Sequence, residues 1–325
     1  MGLDTAELIA GCARQNGLMA DILKTILPIF VIIFLGWSLR RLDFMQEGFL
    51  KPANRLVYYV AIPAMIFREI ATAEMAEHFR LVLVAATLSP LLIVSLAGLV
   101  LARGIKLPRY RVGTFLQCGF HGNLGYIGLA VAFYFLGDEG LTRASILAGF
   151  VMLLQNFLAV VALSRFNKEP EQKPSVFSLL RRILLNPVII SAMAGMAFSF
   201  AGLHLPVILD RSLSILSGMA LPLALLVIGT SVSFAQMRQQ LRVTTLISIL
   251  KLILLPALGL AFFHFLNLDR IEYLPALILL ASPTATVSYV MASEMAGDAD
   301  LATAAISITT LVSAVTFILW LGVGS

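Results

Sequence analysis

The sequence predicts an all-α integral membrane protein: ten transmembrane helices, arranged as two inverted five-helix repeats in which the fourth and ninth helices are broken. Three observations carry this expectation. Hydrophobic residues fill 59% of the 325 positions, charged residues only 13%, and the mean hydropathy is +0.94, far from the usual composition of a soluble domain. The apolar stretches recur near the length of about 20 residues that a helix needs to cross about 30 Å of hydrocarbon. Landmarks also recur at a fixed offset: Pro28, Gly36 and Pro63 return 159 residues later as Pro187, Gly195 and Pro222, and the loop Gly137-Asp138-Glu139-Gly140-Leu141 returns 160 residues later as Gly297-Asp298-Ala299-Asp300-Leu301.

Taken in order, the stretches with few or no charges are 25–39, 56–67, 81–102, 112–137 and 144–164, then 183–209, 212–237, 252–268, 273–293 and 301–325. The second is short, but the run from Phe49 to Ile70 interrupts it only with Lys51, Arg55, Arg68 and Glu69, mostly near its ends where long cations reach the interface. The polar run Asn167-Lys168-Glu169-Pro170-Glu171-Gln172-Lys173-Pro174 reads as a linker. It divides the chain into a first repeat at 21–166, a linker at 167–179 and a second repeat at 180–323. Five spans per copy is an odd number, so the second copy enters the bilayer from the other side, the arrangement of secondary transporters.

Charge sets the orientation. Arg40, Arg41, Lys51, Arg55, Arg103, Lys106, Arg109, Arg111, Arg165, Lys168, Lys173, Arg181, Arg182, Arg238 and Arg242 fall in alternate loops, while the intervening loops hold fewer cations, chiefly Arg68, Arg80, Arg143, Arg211 and Arg270. The positive-inside rule makes the first set cytoplasmic and places both termini outside. The net charge of +5 is thereby accounted for by topology, and nucleic acid is not an expected partner. Cys12 and Cys118 imply no disulfide framework, and residues 1–20 are not read as a signal peptide.

The fourth span reads Gln117-Cys118-Gly119-Phe120-His121-Gly122-Asn123-Leu124-Gly125-Tyr126-Ile127-Gly128, and the ninth reads Ala281-Ser282-Pro283-Thr284-Ala285-Thr286-Val287-Ser288. Glycine and proline weaken helix interiors, proline by about 3 kcal/mol, so both spans are expected to break near the midplane. Breaks at matching depth in two repeats point to a binding site, because freed backbone groups are tolerated only in protein or beside a cavity. Half-helix N-termini favour an anion. The candidate substrate-binding residues are Gly122, Asn123, Gly125, His121, Ser282, Pro283, Thr284 and Thr286. Asn123 donates and accepts; the plainer reading is that it, like the hydroxyls, only satisfies the broken backbone. His121 is the one histidine deep in an apolar span, and imidazole titrates closest to neutral pH. It is a candidate proton carrier, or a neutral group bonded to a freed carbonyl. Lys251 lies too deep for easy escape to the interface; its expected task is to neutralise half-helix ends, with substrate binding as the alternative. Gln155 and Asn156 are expected to bond across helices, with lining the pathway as the alternative, and Asp138 and Asp298 to cap the helices that follow them.

At these residues the chain resembles the auxin efflux carrier family, which includes plant PIN-type carriers and bacterial permeases for small carboxylates. The resemblance spans nearly the whole length and rests on Asn54-Arg55-Leu56-Val57-Tyr58-Tyr59-Val60-Ala61-Ile62-Pro63-Ala64, on Gly122 to Leu129, and on Ser282-Pro283 followed by Ser288-Tyr289-Val290 and Gly297-Asp298. It implies a scaffold of helices one, two, six and seven, a mobile transport domain holding the crossed helices, and a homodimer formed through the scaffold. Ala130 departs from the proline that many members carry after the fourth-helix break, and Val287 from a polar residue in bacterial members.

The expected function is therefore a cell inner membrane carrier that moves a small organic anion, a carboxylate or auxin-like acid, by alternating access, with no cofactor. The alternatives are a sodium- or proton-coupled symporter of bile-acid-transporter-like architecture, and a channel or receptor. No intramembrane Asp or Glu supports a cation antiporter. An enzyme is not expected, since there is no His-Glu-x-x-His cluster, phosphate loop or Ser-His pair at bonding spacing.

Overall fold

The computed structural model describes residues 5–73, 80–166 and 185–324, with side chains from Ala20 onward except those of Asp21 and Glu47. The expected linker at 167–179 and the start of the second unit lie outside the described residues. The chain is all-α. Its helices are α1 (Thr5–Arg41), α2 (Glu47–Leu56), α3 (Ile62–Ala71), α4 (Leu81–Gly104), α5 (Arg109–Phe120), α6 (Leu129–Phe166), α7 (Pro187–Phe200), α8 (Val207–Thr230), α9 (Phe234–Gln239), α10 (Leu241–Ser248), α11 (Leu255–Phe265), α12 (Arg270–Ala281), α13 (Val287–Glu294) and α14 (Ala299–Gly324). Among the described residues six helical stretches are long and apolar enough to cross a membrane: Ile22–Arg41, Leu81–Gly104, Leu124–Phe166, Val207–Thr230, Leu241–Phe265 and Ala299–Gly324.

Several of these are not plain helices, for readable reasons. A π-helical turn, Val57–Ala61, joins α2 to α3, and another, Ile249–Leu254, joins α10 to α11. Pro63 and Pro256 follow within two residues; a proline ring crowds the carbonyl four residues back and lacks an N–H, and a wider turn relieves both problems. The 43-residue stretch Leu124–Phe166 would be about 65 Å long if straight, twice what a bilayer needs. Gly137, at φ 73° and ψ −162°, bends it, a conformation open to residues without Cβ. The loop cap expected of Asp298 is present: its Oδ1 accepts from the Leu301 N–H at 3.0 Å.

The helices pack as two groups. In the first, α1 lies along α8, and α3 lies against α7 and α8. The seams are backbone to backbone: a Cβ on Gly36 would stand 2.1 Å from the Leu226 carbonyl oxygen, one on Gly229 2.0 Å from that of Ile33, and one on Gly195 3.1 Å from that of Phe67. Small residues permit such close approach. Gly36 and Gly195 are 159 positions apart, and so are their partners Phe67 and Leu226. In the second group α5 packs on α4 and α6, α11 on α4 and α12, and α12 on α6 and α14. The cavity described below lies between the groups.

Candidate functional site

The α-helical backbone stops at Phe120 and restarts at Leu124 in a π-helical turn that leads into α6; it stops again at Ala281 and restarts at Val287. Each stop leaves carbonyls and amides without helical partners, and in a membrane interior each must be satisfied locally. The two breaks satisfy one another. Gly122 and Thr284 form an antiparallel bridge, in which the Asn123 N–H donates to the Pro283 carbonyl at 2.7 Å and the Ala285 N–H to the His121 carbonyl at 2.9 Å.

Side chains complete the accounting. Gln155 on α6 receives the Gly122 N–H at 3.0 Å and returns its amide N–H to the Gly122 carbonyl at 3.2 Å. The Thr284 hydroxyl donates to the Cys118 carbonyl at 2.8 Å, and Thr309 Oγ1 receives the Thr284 N–H at 3.1 Å. Ser282 donates back to the Ile278 carbonyl at 3.0 Å. The Lys251 ammonium, fully buried on its π-helical turn, donates to the Leu280 carbonyl at 2.8 Å. A Cβ on Gly122 would also stand 3.4 Å from Lys251 Nζ, so this cation is adjacent to both breaks.

A cavity of about 1280 Å³ ends on one face of the bridged segments, and His121, Gly122, Asn123, Gly125 and Thr286 line it. Ser282, Pro283, Thr284 and Lys251 are not among its lining residues; each is turned to the backbone groups that the breaks release. The walls come from both helix groups: Asn54, Arg55 and Tyr58 on one side, Met152, Gln155 and Asn156 on the other. Its mouth lies where α1 ends and α7 begins, marked by Arg40, Lys51 and Asn186. At the floor, Asn123 is 5% exposed and His121 1% exposed, and Asn123 Nδ2 and His121 Nδ1 have no hydrogen-bond partner. Unpaired buried polar atoms are uncommon and costly.

At the opposite end one polar contact, between Glu69 on α3 and Thr142 on α6, joins the two groups, beside an ion pair within the first. Arg68 on α3 holds Asp210 on α8 at 2.8 Å and Glu69 at 3.2 Å, and Glu69 receives the Thr142 hydroxyl of α6 at 3.4 Å. On the cavity side Arg111 pairs with Asp298 at 2.8 Å. Sequence reading did not find the Arg68–Asp210 contact or the bond of 2.6 Å from the Tyr126 hydroxyl to Asn54 Oδ1. Neither has a local pattern; partners 142 and 72 positions apart carry no spacing signal.

Fold and cavity define a multi-pass membrane protein whose chamber, mostly apolar in its lining with polar groups at the floor, is built on interrupted helices, the class to which carriers belong. Residues 21–321 match the family described as membrane transport protein, and the chain belongs to that family, that of the auxin efflux carriers. A Rhizobium meliloti (strain 1021) protein named "Putative malonate transporter" is 29% identical over 310 residues, covering 92% of this chain and 94% of that one. Uncharacterized transporters of Methanocaldococcus jannaschii and Methanothermobacter thermautotrophicus are 25% and 26% identical, over 92% and 91% of this chain and 97% and 96% of their own lengths.

Proposed function

We propose that this protein is a secondary carrier of a small organic anion, a carboxylate of the malonate class, working by alternating access. The observation that carries the reading is the unpartnered Asn123 Nδ2 at the floor of the cavity, beside two restarting helices whose first amides favour negative charge. In this reading the chain forms ten transmembrane spans in two inverted repeats, and the bridged segments are the crossing of spans four and nine. Asn123, Gly122, Gly125, His121 and Thr286 face the anion. Ser282, Pro283 and Thr284 hold the crossing in shape, and Lys251 offsets the negative ends of the half-helices that stop there.

The excess of Lys and Arg puts the cavity mouth in the cytoplasm and both termini outside the cell inner membrane. The open state is then the inward one, with the Glu69–Thr142 contact joining the two groups on the outer side. The group of α1, α3, α7 and α8 is the scaffold, and the apolar residues exposed on α1 and α8, among them Phe34 and Ile215, face lipid and a second copy in a homodimer. An anion leaving a negative-inside cell gains about 2.3 kcal/mol per charge at 100 mV without a coupled ion, which favours uniport. The unpartnered His121 Nδ1 supports proton coupling as a second reading.

The test is counterflow of labelled malonate in liposomes, preceded by a thermal-shift screen of small carboxylates, since a ligand of the folded state raises its stability. Saturable counterflow is expected. A conductance without counterflow would make the protein a channel. If wild-type transport moves protons and His121→Gln abolishes that movement, the symport reading replaces uniport.

A further inference from the structure

Resting on the carrier reading, we infer that Arg55 reads the second carboxylate of a dicarboxylate substrate and so selects dianions over monoanions. The floor of the cavity supplies donors for one anionic group: Asn123 Nδ2, His121 Nδ1 and the amides that open two helices. A monocarboxylate needs nothing more. The wall above it, however, presents a second and differently built positive site.

Lys51, Arg55, Tyr58 and Ile62 succeed one another at helical spacing and line the cavity from mouth to floor. Ile62 marks the floor end, because a Cβ on Gly125 would stand 3.6 Å from its Cδ1. Lys51 sits one turn nearer the mouth than Arg55. Depth is fixed independently by the bond of 2.6 Å from the Tyr126 hydroxyl to Asn54 Oδ1. Tyr126 is three residues past Asn123, so the residue preceding Arg55 lies within one tyrosine side chain of the broken segment. Arg55 is exposed to the cavity, and no ion pair or hydrogen bond engages its guanidinium among the described residues. The other long cation of the wall at the end of α1, Arg40, has interactions of its own, as does Glu294 across the cavity.

An unpaired guanidinium on an anion path has a use that a paired one lacks. It offers a planar fork matched to a carboxylate, which an ammonium does not. Two donor sets, one on the floor and one on the wall of the same cavity, suit a dicarboxylate, with one carboxylate on the floor and one on the fork. A monocarboxylate held on the floor has no second carboxylate for Arg55. On this basis Arg55 contributes specificity and Asn123 contributes general anion binding.

The experiment measures binding of malonate and of propionate to purified wild type, Arg55→Gln, Arg55→Lys and Asn123→Ala, by thermal shift and by competition in counterflow. Arg55→Gln is expected to weaken malonate about 10- to 100-fold, the scale of a lost charge-assisted pair, and to leave propionate within about twofold. Arg55→Lys should be intermediate, since it keeps charge without the fork. Equal weakening of both acids would make Arg55 a general attractor of anions and overturn its role in selection; unchanged malonate binding would remove it from the site. Both outcomes differ from failure of the carrier reading itself, in which wild type binds neither acid and Asn123→Ala changes nothing.

Discussion

Asn123 and Pro283 stand 160 residues apart in the chain, and the backbone N–H of the first donates to the carbonyl of the second across 2.7 Å. The offset that aligns the two halves of the sequence therefore also names two residues in direct contact. Around them Gly122 pairs with Thr284, and His121 with Ala285. Each break supplies what the other lacks, which is why neither needs a metal or an acidic side chain to hold it together.

Asn123 uses its main chain for this pairing and keeps its side-chain amide unbonded. Asn123→Ala should then fold and express near normally while carboxylate affinity drops about 10-fold or more, the scale of a hydrogen bond to a charged group. Asn123→Asp should be worse, since it adds a negative charge at an anion site. Thermal-shift titration checks both, and wild-type affinity in a well-folded Asn123→Ala protein would withdraw the assignment.

Thr284 makes the opposite prediction. Its hydroxyl is buried against the Cys118 carbonyl, so Thr284→Val strands that carbonyl at a cost of about 1–3 kcal/mol. Thermal unfolding should begin at lower temperature, with the affinity of the folded fraction unchanged. A variant that loses affinity at full stability would return Thr284 to the ligand.

Lys251 is expected to act through charge. Lys251→Met keeps the volume but leaves the Leu280 carbonyl and two helix ends without their cation, and should be less stable than wild type. In Lys251→Ala, methylammonium should recover part of the lost melting temperature, whereas an uncharged amide of similar size should not. Equal rescue by both compounds would make Lys251 a packing residue.

The contact opposite the cavity mouth should report on opening there. Glu69→Gln removes the charge that receives the Thr142 hydroxyl from the other group at 3.4 Å and should favour opening on that side. A cysteine at Ser145, buried one turn along the same helix, in a protein lacking Cys12 and Cys118, should react faster with an impermeant reagent outside the cell when Glu69→Gln is present. Position 51, at the cavity mouth, should behave in reverse: a cysteine there should be protected from the same reagent in intact cells. Unchanged labelling at Ser145 would mean that the Glu69–Thr142 contact does not hold that side shut.

The parts of this molecule that were legible in sequence are those encoded by repetition or by helix chemistry. Glycines and a proline in apolar stretches signal both interruptions, and the recurring Gly-Asp loops coincide with the bend at Gly137 and the break between α13 and α14. The π-helical turns were not foreseen, because a proline says that strain must be relieved without saying how. The hydroxyl-bearing residues were legible as polar groups near a break, but their direction was not: Thr284 and Thr286 are two positions apart, one bonded inward and one lining the cavity. Composition around a break cannot separate them: Thr284 lies in the bridged segment, whereas Thr286 has already turned helical at φ −61° and ψ −28°, so local conformation rather than residue type sets each direction. Arg55 was visible only as a topological charge, since its place on the cavity wall depends on a partner helix elsewhere in the chain.

The seams at Gly36 and Gly229, where backbone meets backbone with no side chain between, bear on mechanical compliance. Side chains are the springs of a helix interface: they change rotamer and let neighbouring helices slide. Without that layer, sliding α1 along α8 drives main-chain atoms into one another, so the pair responds to load as a single stiff beam. The pair therefore deforms less readily than a boundary held by side chains, such as the one where the Tyr126 hydroxyl meets Asn54.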